Sequence, residues 1–313
     1  MASPNLSEII TTTLRNRSKT LADNVTNHNA LLRRLRENGN ITTVTGRQIV
    51  RELEYASNGT VGFYSGYETL DVSPSDVLTS ATFDYKQMAG NVTISGLEQI
   101  QNSGTEAVIN LLESRIGVLE KTMMNTLSTS LYSDGTGSSG KEIGGLQLLV
   151  ADAGTGTVGG INSSTFTFFQ NAQITATSSA FSTANVQDDM NNIYLSLVRG
   201  ADSPDLIMAD ANAYKAFLGS LQAIQRVTSD TVATSGFTSV QYLNSDVIFD
   251  DACPTNKMYF LNTDYLRLEV AANRNFVPGE AKMSINQDAM VTPMFFSGAL
   301  TVSNRALQGV IHV

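Results

Sequence analysis

The chain has no tryptophan, one cysteine (Cys253), two histidines (His28 and His312) and six prolines in 313 residues. A single cysteine excludes an intrachain disulfide framework and any cysteine-rich metal site. A two-histidine zinc site or a Ser-His-Asp triad would have to recruit residue 28 or 312, one near each end of the chain. No stretch approaches the roughly 18 consecutive apolar residues of a membrane-spanning helix. The opening MASPNLSEII lacks a basic segment followed by an apolar one, so no secretory signal is expected. Charge is scarce too. Only 16% of residues are charged, where an average soluble domain has about 25%. The net charge of −9 argues against bulk nucleic-acid binding, which wants a basic footprint.

What is present is a chain 42% apolar with 24 glycines, enough for a sizeable core. Ser, Thr, Asn and Gln stand where Lys and Glu usually coat a surface. A polar but uncharged exterior suits burial against other proteins better than free solution. The remaining charge is unevenly spread. Residues 1–60 carry eight basic and five acidic side chains, a net of +3, and the rest carry twelve against twenty-four.

Residues 7–37 read as helix, because Leu14, Leu21, Val25, His28, Leu32 and Leu35 keep to one face. Asn38-Gly39 suits a left-handed cap. A short helix is expected from Gln48 to about Leu53. From Tyr55 to Ser95 the pattern turns to β, with Val61, Phe63, Tyr64, Phe83, Tyr85, Val92 and Ile94 in strand-forming runs and a turn at Ser73-Pro74. The expectation is a two-stranded arm of about twenty residues a side. An isolated hairpin is marginal in water, so this arm calls for support from outside its own domain.

Ser95 and Glu98 have the spacing of a capping box. The stripe that follows, from Leu97 to Leu131, makes a spine helix of up to 35 residues, about 50 Å at 1.5 Å per residue. Residues 146–151 and 165–169 read as strands. Ser182 or Thr183 caps a helix with Val186, Met190, Ile193 and Leu197 inward. A buried strand at 205–208 follows, then a helix capped by Asp210 with Tyr214, Phe217, Leu218, Leu221 and Ile224 inward. Strands are expected at 240–250, 258–262, 266–271, 290–296 and 299–313. The middle of the chain is thus an α/β lobe.

Two glycine motifs imitate nucleotide sites. Gly135 to Glu142 nearly fits a phosphate loop, but Glu142 replaces the required hydroxyl and a helix precedes it. Gly154-x-Gly156-x-x-Gly159 lacks both a following helix and an acid about 20 residues on. The pairs Asp188-Asp189 and Asp250-Asp251 suit a helix dipole and a turn better than a cation. No nucleophile, base and oxyanion set can be named, so neither enzyme activity nor a cofactor nor a metal is expected.

The order of basic helix, β-arm, spine helix, α/β lobe and closing strands resembles the major capsid proteins of tailed bacteriophages. The runs that carry the resemblance are 21–35 (LADNVTNHNALLRRL), 64–70 (YSGYETL), 92–104 (VTISGLEQIQNSG), 144–150 (GGLQLLV) and 156–162 (GTVGGIN). The resemblance implies an α+β, Hong Kong 97-like capsid fold. It divides the chain into an N-terminal arm (1–45), an extended loop (46–95), a peripheral domain with the spine helix (96–181 and 273–313) and an axial domain (182–272). It also implies self-assembly into hexamers and pentamers of an icosahedral head around double-stranded DNA, in the virion, after assembly in a bacterial cytoplasm.

Expected partners are further copies of the chain, a portal, and scaffolding or decoration proteins, with no membrane. The arm begins almost at Met1, so any scaffold is expected to be a separate protein. Phe63, Tyr64, Tyr67, Glu68, Phe83, Tyr85 and Lys86 are the expected inter-subunit contacts. Arg15, Arg17, Lys19, Arg33, Arg34 and Arg36 are expected to face DNA. A lysine–asparagine cross-link at Lys86 has no identifiable partner Asn or catalytic Glu. The alternatives are the shell of a cellular encapsulated compartment and, from another class, a flagellin-like filament. A flagellin should end in a helix, whereas this chain ends in strands.

Overall fold

The computed structural model describes residues 30–101, 105–221 and 239–313. The expected helix from residue 7 is seen over its last part, α1 (Ala30–Glu37), with Leu31, Leu32 and Leu35 fully buried. Residues 7–29 lie outside the described residues. Gly39, at φ +69°, ends the helix as its sequence suggests, and β1 (Ile41–Val44) follows.

The helix expected at Gln48–Leu53 is instead a strand, β2 (Ile49–Glu54). Ile49 and Leu53 are buried while Val50, Glu52 and Glu54 are exposed, which is alternation of period two. β2 pairs with β3 (Leu78–Phe83) in six-residue register, from Ile49 opposite Phe83 to Glu54 opposite Leu78. The twenty-residue ladder is therefore a correction as well: residues 55–77 form no strand. The base of the arm is also supported by its own chain. Ala81 and Phe83 are buried, Arg51 forms an ion pair with Glu269, and Thr82 N–H donates to Gly159 O at 2.9 Å.

β4 (Lys86–Ser95) runs into α2 (Gly96–Gln101) and α3 (Thr105–Ser130). These two helices occupy the span of the expected spine, and the capping box at its start is formed. Ser95 N–H donates to Glu98 Oε2 at 3.0 Å, and Glu98 N–H to Ser95 Oγ at 3.3 Å. The apolar run expected as a strand at 146–151 contains a one-turn helix, α4 (Leu146–Leu149), with Leu146, Leu149 and Val150 buried. Gly145 begins it because a Cβ there would collide with the backbone of Ser130 and Leu131. β5 (Thr157–Val158) and β6 (Ile161–Asn162) form a minimal hairpin. Its turn residues Gly159 and Gly160 are both at positive φ, as a primed turn demands. The strand expected at 165–169 is a turn of 3-10 helix at 167–169, which buries Phe169.

Next come β7 (Ala172–Thr175), α5 (Val186–Leu197), β8 (Leu206–Ala209) and α6 (Ala211–Ser220). Helix α5 starts after Asn185 rather than at Ser182 or Thr183, but the expected face of Val186, Met190, Ile193 and Leu197 is fully buried. Asp210 caps α6 as expected, accepting from Ala213 N–H at 2.8 Å; Ile224 lies outside the described residues. The remaining strands are β9 (Ser239–Tyr242), β10 (Ser245–Phe249), β11 (Lys257–Leu261), β12 (Leu266–Ala271), β13 (Val277–Pro278), β14 (Lys282–Met283), β15 (Ala289–Val302) and β16 (Gly309–His312). The two strands expected across 290–313 are thus one 14-residue strand and one short strand.

Two six-stranded sheets result. In one, β15 is the central strand, with β4 along one side and β12, β13 and β14 along the other; β1 adds outside β12. The other is mixed, in the order β7-β16-β11-β8-β10-β9, and α5 and α6 pack on it around Ile193, Leu197, Phe217 and Phe260. A larger core joins α1, α3, β15 and the 143–169 segment.

Candidate assembly surface

The loop 55–77 is closed at its base by Tyr55 N–H donating to Val77 O at 3.0 Å. Beyond that base its large apolar side chains stand in solvent. Val61, Phe63, Tyr64, Tyr67, Leu70 and Val72 are all exposed, Phe63 and Tyr67 completely. Folding gains nothing from such side chains until something covers them. The loop carries Glu68, Asp71 and Asp76 and no basic residue. Its own bonds are local: Glu68 accepts from Ser65 N–H at 2.9 Å, and Asp71 accepts from Ser73 N–H at 2.9 Å.

The seven expected contact residues therefore fall into two groups. Phe63, Tyr64, Tyr67 and Glu68 are exposed on the loop. Phe83 is buried in the chain's own core, Tyr85 packs half-buried beside it, and Lys86 Nζ donates to Gly140 O at 2.6 Å. Sequence reading missed Leu70 and Val72, although their alternation with Thr69, Asp71 and Ser73 was visible.

A cleft of about 750 Å³ lies beside β4, lined by Asn91, Thr93, Arg115, Val118, Leu119 and Gln287 among others. Val118 is largely exposed there. At one end Arg115 donates to both carboxylate oxygens of Glu98, at 2.5 and 2.9 Å, and to Thr93 O at 2.6 Å. Those bonds, with the Ser95 amide, hold the Glu98 carboxyl down at about 2.

Of the expected DNA-facing residues, Arg33 pairs with Glu37 at 2.8 Å and Arg34 with Asp246 at 3.1 Å, while Arg36 is exposed. Arg15, Arg17 and Lys19 lie outside the described residues. Asp189 accepts from the Thr177 amide and hydroxyl, and Asp250 accepts from Tyr132 at 2.9 Å. Among the described residues no three His, Cys, Asp or Glu side chains converge. No described helix is long and apolar enough to cross a membrane. Cys253 is buried, and burial pushes its thiol well above the ordinary range.

One buried cation was not foreseen. Arg305 is fully buried and donates to Leu149 O (2.5 Å), Ser163 Oγ (3.0 Å), Phe169 O (3.3 Å) and Asn171 Oδ1 (2.9 Å). All four acceptors are neutral, and desolvation lowers its pKa to about 10.

No family model and no curated protein matches the sequence. Solved structures do match the fold. The cyanophage A-1(L) capsid asymmetric unit superposes with a TM-score of 0.67 and 16% identity, covering 88% of this chain and 90% of that one. The chain has a capsid-shell fold. The capsid of the native GTA particle matches with a TM-score of 0.63 at 10% identity, over 89% of each chain. The holo-SrpI encapsulin of Synechococcus elongatus matches at 0.58 and 12%, over 87% of this chain and 84% of that one. On this capsid-shell fold, the exposed loop and the β4 cleft are two features that the chain's own packing leaves uncovered.

Proposed function

We propose that this chain is the major subunit of a tailed-bacteriophage head of the Hong Kong 97 type. Copies assemble into hexamers and pentamers that close an icosahedral shell around double-stranded DNA. The observation that carries this reading is the loop 55–77, whose Phe63, Tyr64 and Tyr67 side chains have no cover in the single chain but would be buried against a neighbour. The role is structural rather than catalytic. Many polar, individually weak contacts become strong when each subunit engages several others.

In this reading residues 1–45 form the N-terminal arm, 46–95 the extended loop, 96–181 with 273–313 the peripheral domain, and 182–272 the axial domain. Phe63, Tyr64, Tyr67 and Glu68 make inter-subunit contacts, and Phe83, Tyr85 and Lys86 set the base from which the loop extends. The basic residues of the arm (Arg15, Arg17, Lys19, Arg33, Arg34 and Arg36) face the DNA, with Arg33 and Arg34 also held by ion pairs within the chain. Portal, scaffolding and decoration proteins are the further partners; assembly takes place in the host cytoplasm, and the virion is the final location.

A second reading has an observation in its favour. The match to the SrpI encapsulin covers nearly as much of the chain, so the shell of a cellular compartment is the alternative. Electron microscopy of the purified chain tests the shared core of both readings. Closed isometric shells or hexameric rings support it, and a monomer at high concentration overturns it. Nuclease-protected DNA inside particles recovered from the native source separates a phage head from a compartment shell.

A further inference from the structure

β4 has one side in the sheet and the other side open. It pairs along its whole length with β15 and with no other strand among the described residues. Its bonds reveal which residues point outward. Gly96 N–H donates to Asp288 O on the β15 side, whereas Thr93 O and Ser95 N–H are taken by the side chains of Arg115 and Glu98. Backbone direction alternates along a strand, so the odd-numbered residues turn their N–H and C=O away from β15. Gln87, Ala89 and Asn91 are therefore outward as well. Their outward backbone groups have no partner among the described residues, and their side chains are exposed.

The edge is blunted at one end only. The Arg115–Glu98 pair occupies Thr93 O and Ser95 N–H, and charged side chains at an edge are one way natural proteins protect it. Among the described residues positions 87–91 have no such cover; the cleft lined by Val118 and Leu119 reaches them at Asn91, and Leu119 packs against Gly90.

The loop offers the converse. Val61-Gly62-Phe63-Tyr64 has strand-forming composition and no strand to pair with. Its backbone groups have no partner among the described residues. Val61 and Phe63 alternate with Thr60, Gly62 and Tyr64, so an extended chain here would have one strongly apolar face. Both the segment and the open edge are uncharged. Phe63 is fully exposed in the single chain, so the tether does not seat it in its own cleft.

We infer that residues 60–64 of one copy add as a strand to the open edge of β4, at residues 87–91, of a second copy. Val61 and Phe63 then lie against Val118 and Leu119, and Thr60, Gly62 and Tyr64 share the solvent face with Gln87, Ala89 and Asn91. Main-chain bonds supply affinity and the cleft supplies register, as in other strand-addition complexes. This rests on the proposed assembly and names its receiving surface.

Parity provides the test. Ala89→Cys is combined in turn with Thr60→Cys, Gly62→Cys and Tyr64→Cys, and assembled protein is oxidised and run on non-reducing gels. A ladder of covalent oligomers from at least one of these, with none from Ala89→Cys plus Val61→Cys, is the expected result. Links that ignore parity, or no ladder from any pair, overturn the inference; so does a link within one chain. Ala89→Pro is the independent variant. It removes an outward N–H without touching the β15 ladder, so the monomer should keep its fold and lose assembly; normal assembly by a folded Ala89→Pro protein would overturn the inference. If removing the loop abolishes assembly yet no ladder forms, the loop docks on a surface other than the β4 edge and only this inference falls. If the intact chain forms no oligomer, the shell reading falls with it.

Discussion

Arg115 and Glu98 meet through two hydrogen bonds, of 2.5 and 2.9 Å, although they lie 17 residues apart, Glu98 in α2 and Arg115 in α3. The pair joins the capping box to the middle of the spine. It also sets a pH dependence. The Glu98 carboxyl is held at about 2, from 4.5 without the fold, chiefly by the Arg115 hydrogen bond and then by the Ser95 amide. A depressed carboxylate contributes stability that is fully present above the unfolded value and lost as pH falls through the folded one. Stability should therefore drop between about pH 4.5 and 2. Glu98→Gln should flatten that part of the profile and lower stability at neutral pH. Thermal melts of both proteins across that range check it; an unchanged acid limb would refute the assignment.

Arg305 should be much less tolerant. Its guanidinium links Leu149, Ser163, Phe169 and Asn171, so it holds the 149–171 segment to the C-terminal strands. Arg305→Ala leaves several buried acceptors without donors, at about 1–3 kcal/mol each. The expected loss is about 3 kcal/mol or more, read from the denaturant midpoint of the purified protein. Arg305→Lys should rescue only part, since one ammonium cannot reach four divergent acceptors.

Phe63 and Phe83 have the same side chain and opposite roles. Phe83→Ala empties a core site and should cost about 3–5 kcal/mol. Phe63→Ala removes a side chain fully in solvent and should change monomer stability by no more than about 0.5 kcal/mol. Its effect should appear in assembly, followed by light scattering. Equal stability losses in the two variants would mean that the loop packs on its own chain.

Much of the helical structure was legible because its signals are local. The Ser95–Glu98 box, the Asp210 cap and the Val186–Leu197 stripe each depend on residues a turn or two apart. Short apolar runs were not legible. LQLL at 146–149 takes its helical turn with Gly145 and Leu146 N–H tied to Ser133 O and Leu131 O, at 3.0 and 2.7 Å, and Ile49–Glu54 is a strand because β3 lies alongside it. Both causes are tertiary, and four to six apolar residues do not reveal them. The sheet edge was invisible for the same reason: which side of β4 is open depends on β15, about two hundred residues later. The loop was half legible. Its exposed aromatics and need for outside support were in the composition, but its irregular path was not.

The loop can also be removed cleanly. Tyr55 N–H bonds to Val77 O at 3.0 Å, so the two residues face each other across the end of the β2–β3 ladder. A two-residue Asn-Gly link can span such a pair in a primed turn. Replacing residues 56–76 with that link deletes Phe63, Tyr64 and Tyr67 while leaving β2, β3 and all of β4 in place. A cut running on to Met88 would instead destroy β3 and the start of β4, and confuse misfolding with failed assembly. The shortened chain should melt within a few degrees of the parent, because most of what it loses is exposed. It should not form particles in electron micrographs. Particles of normal size from a folded, shortened chain would show that the strap between subunits is some other segment.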